Sequence, residues 1–240
     1  MQSIDVDLPL LRTYNVSVND FFSDIRAILF DMDGTLVETK IDFAHMKREM
    51  LALASKHGIP EREAAELDIL GIVDLILSKQ EDAEEARQIR EYAFRKLEEI
   101  ELENIEEARE VPGASEVVSV LREKGIKIAI VTRNSRRVGY LSLEKTGIVP
   151  DLFLSRDDVR NAKPHPDHVQ AALISFGVEP SQAIMVGDHW MDIQAGKAAG
   201  TKTIGFLRVD RPEDFFERYS PDLIIRDLRE LLQHFRRSHG

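Results

Sequence analysis

The chain has 240 residues, 43% of them hydrophobic and 31% charged, which suits one large α/β domain or a core carrying a smaller insertion. A formal net charge of -11 argues against nucleic acid as a main partner, because binding a phosphate backbone needs a basic face. With no cysteine, disulfides, thiolate nucleophiles and cysteine-ligated zinc are excluded.

Residues 1–15 contain no basic segment followed by an apolar run, so no secretory signal is expected. No apolar stretch is long enough to span a bilayer, and a cytoplasmic protein without membrane contact is the expectation. Residues 1–20 read as an arm packed on the core. The first strand covers residues 25–30, a short apolar run ending at Asp31-Met32-Asp33-Gly34. Such runs fit strands buried on both faces of a parallel sheet.

A helical stretch then interrupts the alternation, with no good strand from about 40 to 110. Phe43, Met46, Met50 and Leu53 mark a helix stopped by Gly58 and Pro60. Residues 66–79 predict a second helix and 81–109 a long charged one, with Ala86, Ile89, Ala93, Leu97 and Ile100 on one face. The acids of that last helix read as a solvated face. Val111-Pro112-Gly113 reads as the exit hinge.

Further strands follow at 127–131, 151–154, 183–186, 203–206 and 222–225. Between them run helical patterns ending at Gly125, Gly147, Gly177 and Gly200, where a left-handed helix end is expected. The fold class is therefore α/β, a doubly wound parallel sheet with an inserted all-helical unit. The core is assigned to residues 21–39 and 111–240, and the insertion to 40–110.

Ligands of open parallel sheets gather outside the carboxyl ends of the strands. Asp31 and Asp33 stand at such an end, and two carboxylates there are costly unless something positive meets them. Gly34 lets the chain turn sharply behind them, and Thr35 can brace that turn. The strand at 127–131 ends in Thr132-Arg133-Asn134, which offers a hydroxyl and backbone amides to an anion. The strand at 183–186 ends in Gly187-Asp188, and a helix starting near His189 turns Asp192 toward the same pocket. Lys163, in Ala162-Lys163-Pro164-His165-Pro166, precedes a helix that should return to the sheet edge beside the carboxylates. The histidines are scattered without ligand spacing and give no zinc site.

FDMDGTL, VTRN, AKPHPD and GDHWMD, in this order, resemble the four signature motifs of the haloacid dehalogenase superfamily. The likeness covers nearly the whole chain from residue 25 onward. The style of AKPHPD and GDHWMD is most similar to phosphoglycolate phosphatase-type members. This resemblance implies a phosphatase acting on a small phosphomonoester through an aspartyl-phosphate. Asp31 would be the nucleophile, Asp33 the general acid and base, and Lys163 a catalytic cation. Mg²⁺ would be held by Asp31, the Asp33 main-chain carbonyl and Asp188, with Asp192 as a further acid of the metal shell. Thr132, Lys163, Arg133, Asn134 and the Gly34 backbone would surround the phosphate; contact with the insertion is the other reading of Arg133.

The same resemblance makes the insertion a cap over the site, where Lys40, His45, Lys47 and Arg48 stand early enough to reach substrate. An acid at Asp33 separates the chain from members that cleave carbon–halogen or carbon–phosphorus bonds. The expected partner is a small phosphorylated metabolite, with the protein a monomer or homodimer. A sugar phosphomutase using the same Asp31 chemistry, and a non-catalytic binding or regulatory module on the same fold, are the alternatives.

Overall fold

The computed structural model describes residues 21–235. The first strand, β1 (Ala27–Phe30), occupies the middle of a six-stranded sheet. Two further strands lie on one side of it, β4 (Lys127–Val131) and then β5 (Leu152–Leu154). On the other side lie β6 (Ala183–Gly187), β7 (Lys202–Phe206) and β8 (Leu223–Ile225). Every neighbouring pair is parallel. The short strands β2 (Val37–Glu38) and β3 (Arg109–Glu110) form a separate antiparallel ribbon.

Both faces of the central strands are apolar, because the side chains alternate between two cores. Ile28, Phe30, Ile128, Ile130, Ile184 and Val186 face one layer, which holds the helix α5 (Ala114–Glu123) and parts of α6 (Arg136–Thr146) and α9 (Glu230–Phe235). Ala27, Leu29, Ala129, Val131, Ala183 and Met185 face the other, built on α7 (Asp167–Phe176) and α8 (Trp190–Ala199). The sheet is thus doubly wound, as the sequence pattern predicts. The strand at 127–131 matches its expected bounds, and the others differ by a residue or two at an end.

Helices α1 (Phe43–Lys56), α2 (Glu61–Ala64), α3 (Ile69–Ser78) and α4 (Ala83–Leu102) make up the insertion. They bury a core of their own, with Met50, Ile72, Ile76, Ala93 and Leu97 at its centre. Two expectations change here. The helix expected over 66–79 starts only at Ile69, because the Asp68 side chain accepts from the Leu70 and Gly71 amides and caps it. The helix expected over 81–109 stops at Leu102. A single 3₁₀ turn, Ile105–Glu107, follows, and Arg109 and Glu110 then pair as a strand with Glu38 and Val37. The segment from 40 to 110 therefore ends in a strand after all. That ribbon is the neck through which the chain leaves and re-enters the core, closed by the Val111 amide donating to the Leu36 carbonyl at 2.9 Å. No helix among the described residues is long and apolar enough to cross a membrane. The arm expected over 1–20 lies outside the described residues.

Helix α8 packs on the sheet at Gly196, where a Cβ would come within 2.9 Å of the Met185 Cβ and 2.8 Å of the Thr203 methyl. Neither neighbour is the free end of a long side chain. Gly196→Ala is predicted to destabilise the fold by about 1–3 kcal/mol through overpacking. Thermal unfolding monitored by circular dichroism should show the midpoint falling by several degrees; an unchanged midpoint would contradict this packing.

Candidate active site

Strand register builds the site. Phe30 lies level with Ile130 on β4 and with Val186 on β6. Asp31 comes one residue beyond that level, and Thr132 and Asp188 come two residues beyond it, at the carboxyl edge of three adjacent strands. The Asp31 amide donates to the Val186 carbonyl at 2.9 Å, which fixes the end of β1 against β6. After Met32 the chain folds back tightly, with the amides of Thr35, Leu36 and Val37 all donating to the Met32 carbonyl. Gly34 carries φ +81°, and any Cβ there would lie 2.2 Å from a carboxylate oxygen of Asp188. Only glycine allows both this turn and so close an approach. The Thr35 hydroxyl accepts from the Asp188 amide at 3.1 Å and ties the turn to the end of β6.

Lys163 is buried, and its ammonium donates to Asp31 Oδ1 at 2.5 Å and to Asp192 Oδ1 at 2.7 Å. Burial works to lower its pKa, but the charges of Asp192 and Asp31 outweigh that and hold it above the usual lysine value. Asp192 sits in the first turn of α8, and its Oδ2 accepts from the His189 amide at 3.1 Å. Both of its oxygens are therefore engaged. The Asp33 carboxylate is held from two sides. Thr39 Oγ1 donates to Oδ1 at 2.7 Å, and Asn134 Nδ2 donates to Oδ2 at 2.6 Å. Thr132 is buried, and its Oγ1 accepts from the Asn134 amide at 3.2 Å, which leaves its hydroxyl proton for a ligand.

Sequence reasoning placed Asp31, Asp33, Gly34, Thr132, Arg133, Asn134, Lys163, Asp188 and Asp192 around one pocket, and all nine line one cavity of about 1040 Å³. Their partners divide them. Asn134 is spent on Asp33, and the Arg133 guanidinium pairs with Asp68 of the insertion. Among the contributors that escaped notice are Thr39, Glu101, Arg156 and Arg208. Arg208, two residues past β7, donates from Nη1 to the Gly34 carbonyl at 3.0 Å and from Nη2 to Glu38 at 3.3 Å. A cation just beyond a strand's carboxyl end was the available signal. Lys40, Lys47, Arg109 and Arg211 also line the cavity, and no ion pair involves them among the described residues.

Asp31, Asp188 and Asp192 each offer a carboxylate oxygen, and these atoms lie within 4.8 Å of one another. Burial, joined by the charges of Asp31 and Asp192, pushes Asp188 up to about 8. Burial and the Asp31 charge push Asp33 up to about 7, and burial opposed by Lys163 leaves Asp31 at about 6. Carboxyls crowded in this way need either protons or a cation. A hard divalent ion with oxygen ligands fits the donor set, which contains no sulfur.

Each of these three carboxyls holds its proton more tightly folded than unfolded. Its stabilising contribution is complete below its unfolded pKa and is lost as pH rises through the folded value. His168 and His189, pushed down to about 4 by burial, act in the opposite sense, but the unfolded histidines have lost nearly all their protons by about pH 7.5 and that effect is then spent. From there to about pH 8.5, the chelator-treated protein should lose thermal stability as pH rises, and an added divalent cation should reverse the loss. Melting curves at stepped pH, with chelator and with Mg²⁺, test this. A midpoint that rises over that window in chelator would contradict it.

Comparison with known proteins agrees with the geometry. The profile of the haloacid dehalogenase-like hydrolase family matches residues 28–206. The pyrophosphatase PpaX of Bacillus pumilus (strain SAFR-032) is 31% identical over 220 residues, covering 88% of this chain and 96% of that protein. Among solved structures, a HAD phosphatase from Thermococcus onnurineus is 26% identical with a TM-score of 0.57, over 88% of this chain and 98% of that one. A predicted phosphoglycolate phosphatase from Haemophilus somnus 129pt shares the fold at 24% identity and a TM-score of 0.58, again over 88% and 98%. With its signature residues gathered at one sheet edge and the family profile spanning most of its length, the chain belongs to the haloacid dehalogenase-like hydrolases.

Proposed function

We propose that the protein hydrolyses a small phosphorylated substrate, with Asp31 as the nucleophile. The observation that carries this reading is the carboxylate of Asp31 held at 2.5 Å by a buried lysine that Asp192 holds in turn. In the proposed reaction an Asp31 oxygen attacks phosphorus while the bond from phosphorus to the leaving oxygen breaks. Asp33 gives its proton to that leaving oxygen. A water molecule, giving a proton back to Asp33, then attacks the same phosphorus. The bond to Asp31 breaks, and phosphate departs. Asp33 suits both steps because Thr39 and Asn134 fix its carboxyl and its raised pKa lies near neutrality. Thr132 donates its hydroxyl to a phosphoryl oxygen, and Lys163 offsets charge as it develops.

Mg²⁺ would be held by Asp31, Asp188 and the Asp33 main-chain carbonyl, and it supplies the charge that lets an anionic nucleophile approach an anionic phosphoryl group. Asp192, with both oxygens engaged, serves to hold Lys163. The helical insertion, residues 40–110, acts as a cap whose inner wall meets the leaving group.

The cavity is larger than one phosphoryl group needs. Its outer walls carry Lys40, Lys47, Arg109 and Arg211 in a chain of net charge -11. These features favour a substrate with a second anionic group. Pyrophosphate, named in the relatives, and phosphoglycolate, named in one structural neighbour, both answer that description.

Phosphate release should be measured across pyrophosphate, phosphoglycolate, sugar phosphates and nucleotides, with Mg²⁺ and with chelator. Metal-dependent turnover is expected, highest for a doubly anionic substrate and reduced by roughly a thousandfold or more in Asp31→Asn. Turnover undiminished in that variant would exclude Asp31 as the nucleophile.

A further inference from the structure

An ion pair buried between the insertion and the core plays no part in the chemistry above. Glu101, near the end of α4, pairs with Arg156, just past β5, and both side chains are 1% exposed. Between them they hold three consecutive residues of the loop that follows β4. The Arg156 guanidinium donates to the Arg133 carbonyl at 3.0 Å, and the Arg156 amide donates to the Asn134 carbonyl at 3.1 Å. Glu101 Oε2 accepts from the Ser135 amide at 3.2 Å. Arg156 also donates back into the insertion, to the Phe94 carbonyl at 3.3 Å, with its guanidinium carbon 5.2 Å from the Phe94 ring centroid.

The loop so held is the one that presents Asn134 to Asp33 at 2.6 Å. Its polar backbone groups are therefore satisfied partly by a side chain belonging to the insertion. Moving α4 away would strip the Ser135 amide of its acceptor and the Arg156 guanidinium of Glu101 and Phe94, leaving it only the Arg133 carbonyl, a costly change for both. The loop and the insertion must then shift together or stay together.

We propose that Glu101 and Arg156 are positioning residues that interlock the seat of the insertion with the loop 132–135, so that Asn134 holds Asp33 in place only while the insertion is docked. The catalytic consequence rests on the function proposed above; the mechanical one does not. Burial alone does not account for the arrangement. A pair serving only to fill space could be replaced by apolar side chains of similar volume. Those side chains could not bond the carbonyl of 133 or the amide of 135.

This contrast gives the test. The double variant Glu101→Met/Arg156→Met removes the charges together and leaves no orphan ion. Arg156→Lys keeps the charge opposite Glu101 but loses the forked geometry that reaches Arg133 and Phe94. Backbone hydrogen exchange in the full chain, read by mass spectrometry, would follow residues 132–136 and 94–102 in each variant. Turnover of the best substrate found for the wild type would be followed alongside.

The interlock predicts faster exchange in both segments together in either variant that keeps its cooperative unfolding transition. It also predicts a kcat lowered by about ten- to a hundredfold with KM little changed. Wild-type exchange at 132–136 in a folded Arg156→Lys protein would overturn the proposal, as would faster exchange confined to 94–102. If the wild type turns over none of the panel, the hydrolase reading fails on its own, and the exchange data still decide the interlock.

Discussion

The structure is organised around buried negative charge at one edge of a parallel sheet. Asp31, Asp188 and Asp192 converge there within a few ångströms, and Asp33 lies beside them. Such an arrangement is unfavourable in isolation, because each carboxylate loses water and gains like-charged neighbours. Lys163 meets part of the demand from a wholly buried position between Asp31 and Asp192. The raised pKa values of Asp31, Asp33 and Asp188 show that demand remains. Protons can meet it, and so can a bound divalent cation, which makes the affinity for a metal and the fold's response to pH two sides of one electrostatic imbalance.

Much else serves to hold that imbalance in place. The glycine turn at Gly34 leaves room for Asp188, and Thr35 bonds the backbone of Asp188 across the strand ends. Arg208 caps the same turn through the Gly34 carbonyl. The ribbon of β2 and β3 starts only three residues past Gly34, so the neck of the insertion is tied closely to the turn that carries Asp31 and Asp33. A site with this much preorganised charge gains most if its outer wall is also fixed. The Glu101–Arg156 pair and the Arg133–Asp68 pair join the insertion to the loop after β4 on either side of Asn134.

The central sheet was legible in the sequence because its strands are continuous apolar runs buried on both faces, with glycine marking the helix ends at Gly147, Gly177 and Gly200. Strand ends in turn located the acids, since polar residues that interrupt such runs at the carboxyl edge have few structural uses. What escaped reading had weaker physical signals. A two-residue strand such as Arg109–Glu110 has no periodicity to detect, and its pairing with Val37 and Glu38 is a long-range event. Asp68 starts a helix by capping its amino end, where the apolar pattern on either side suggested continuity. Glu101 is the most instructive case. It continues the stripe of Ala93 and Leu97 at four-residue spacing, on the buried face of α4, yet acids in a charged helix are read as solvated by default. An acid on an apolar stripe calls for a buried cation, and Arg156 is that cation.

The proposed chemistry turns on Asp31 forming a bond to phosphorus. Its direct test is rapid acid quenching of the protein during turnover of its best substrate, followed by peptide mass spectrometry. A phosphoryl group on the peptide containing Asp31, labile to hydroxylamine and absent in Asp31→Asn, is the predicted result. Steady phosphate release with no phosphoryl group on that peptide at any quench time would contradict the account.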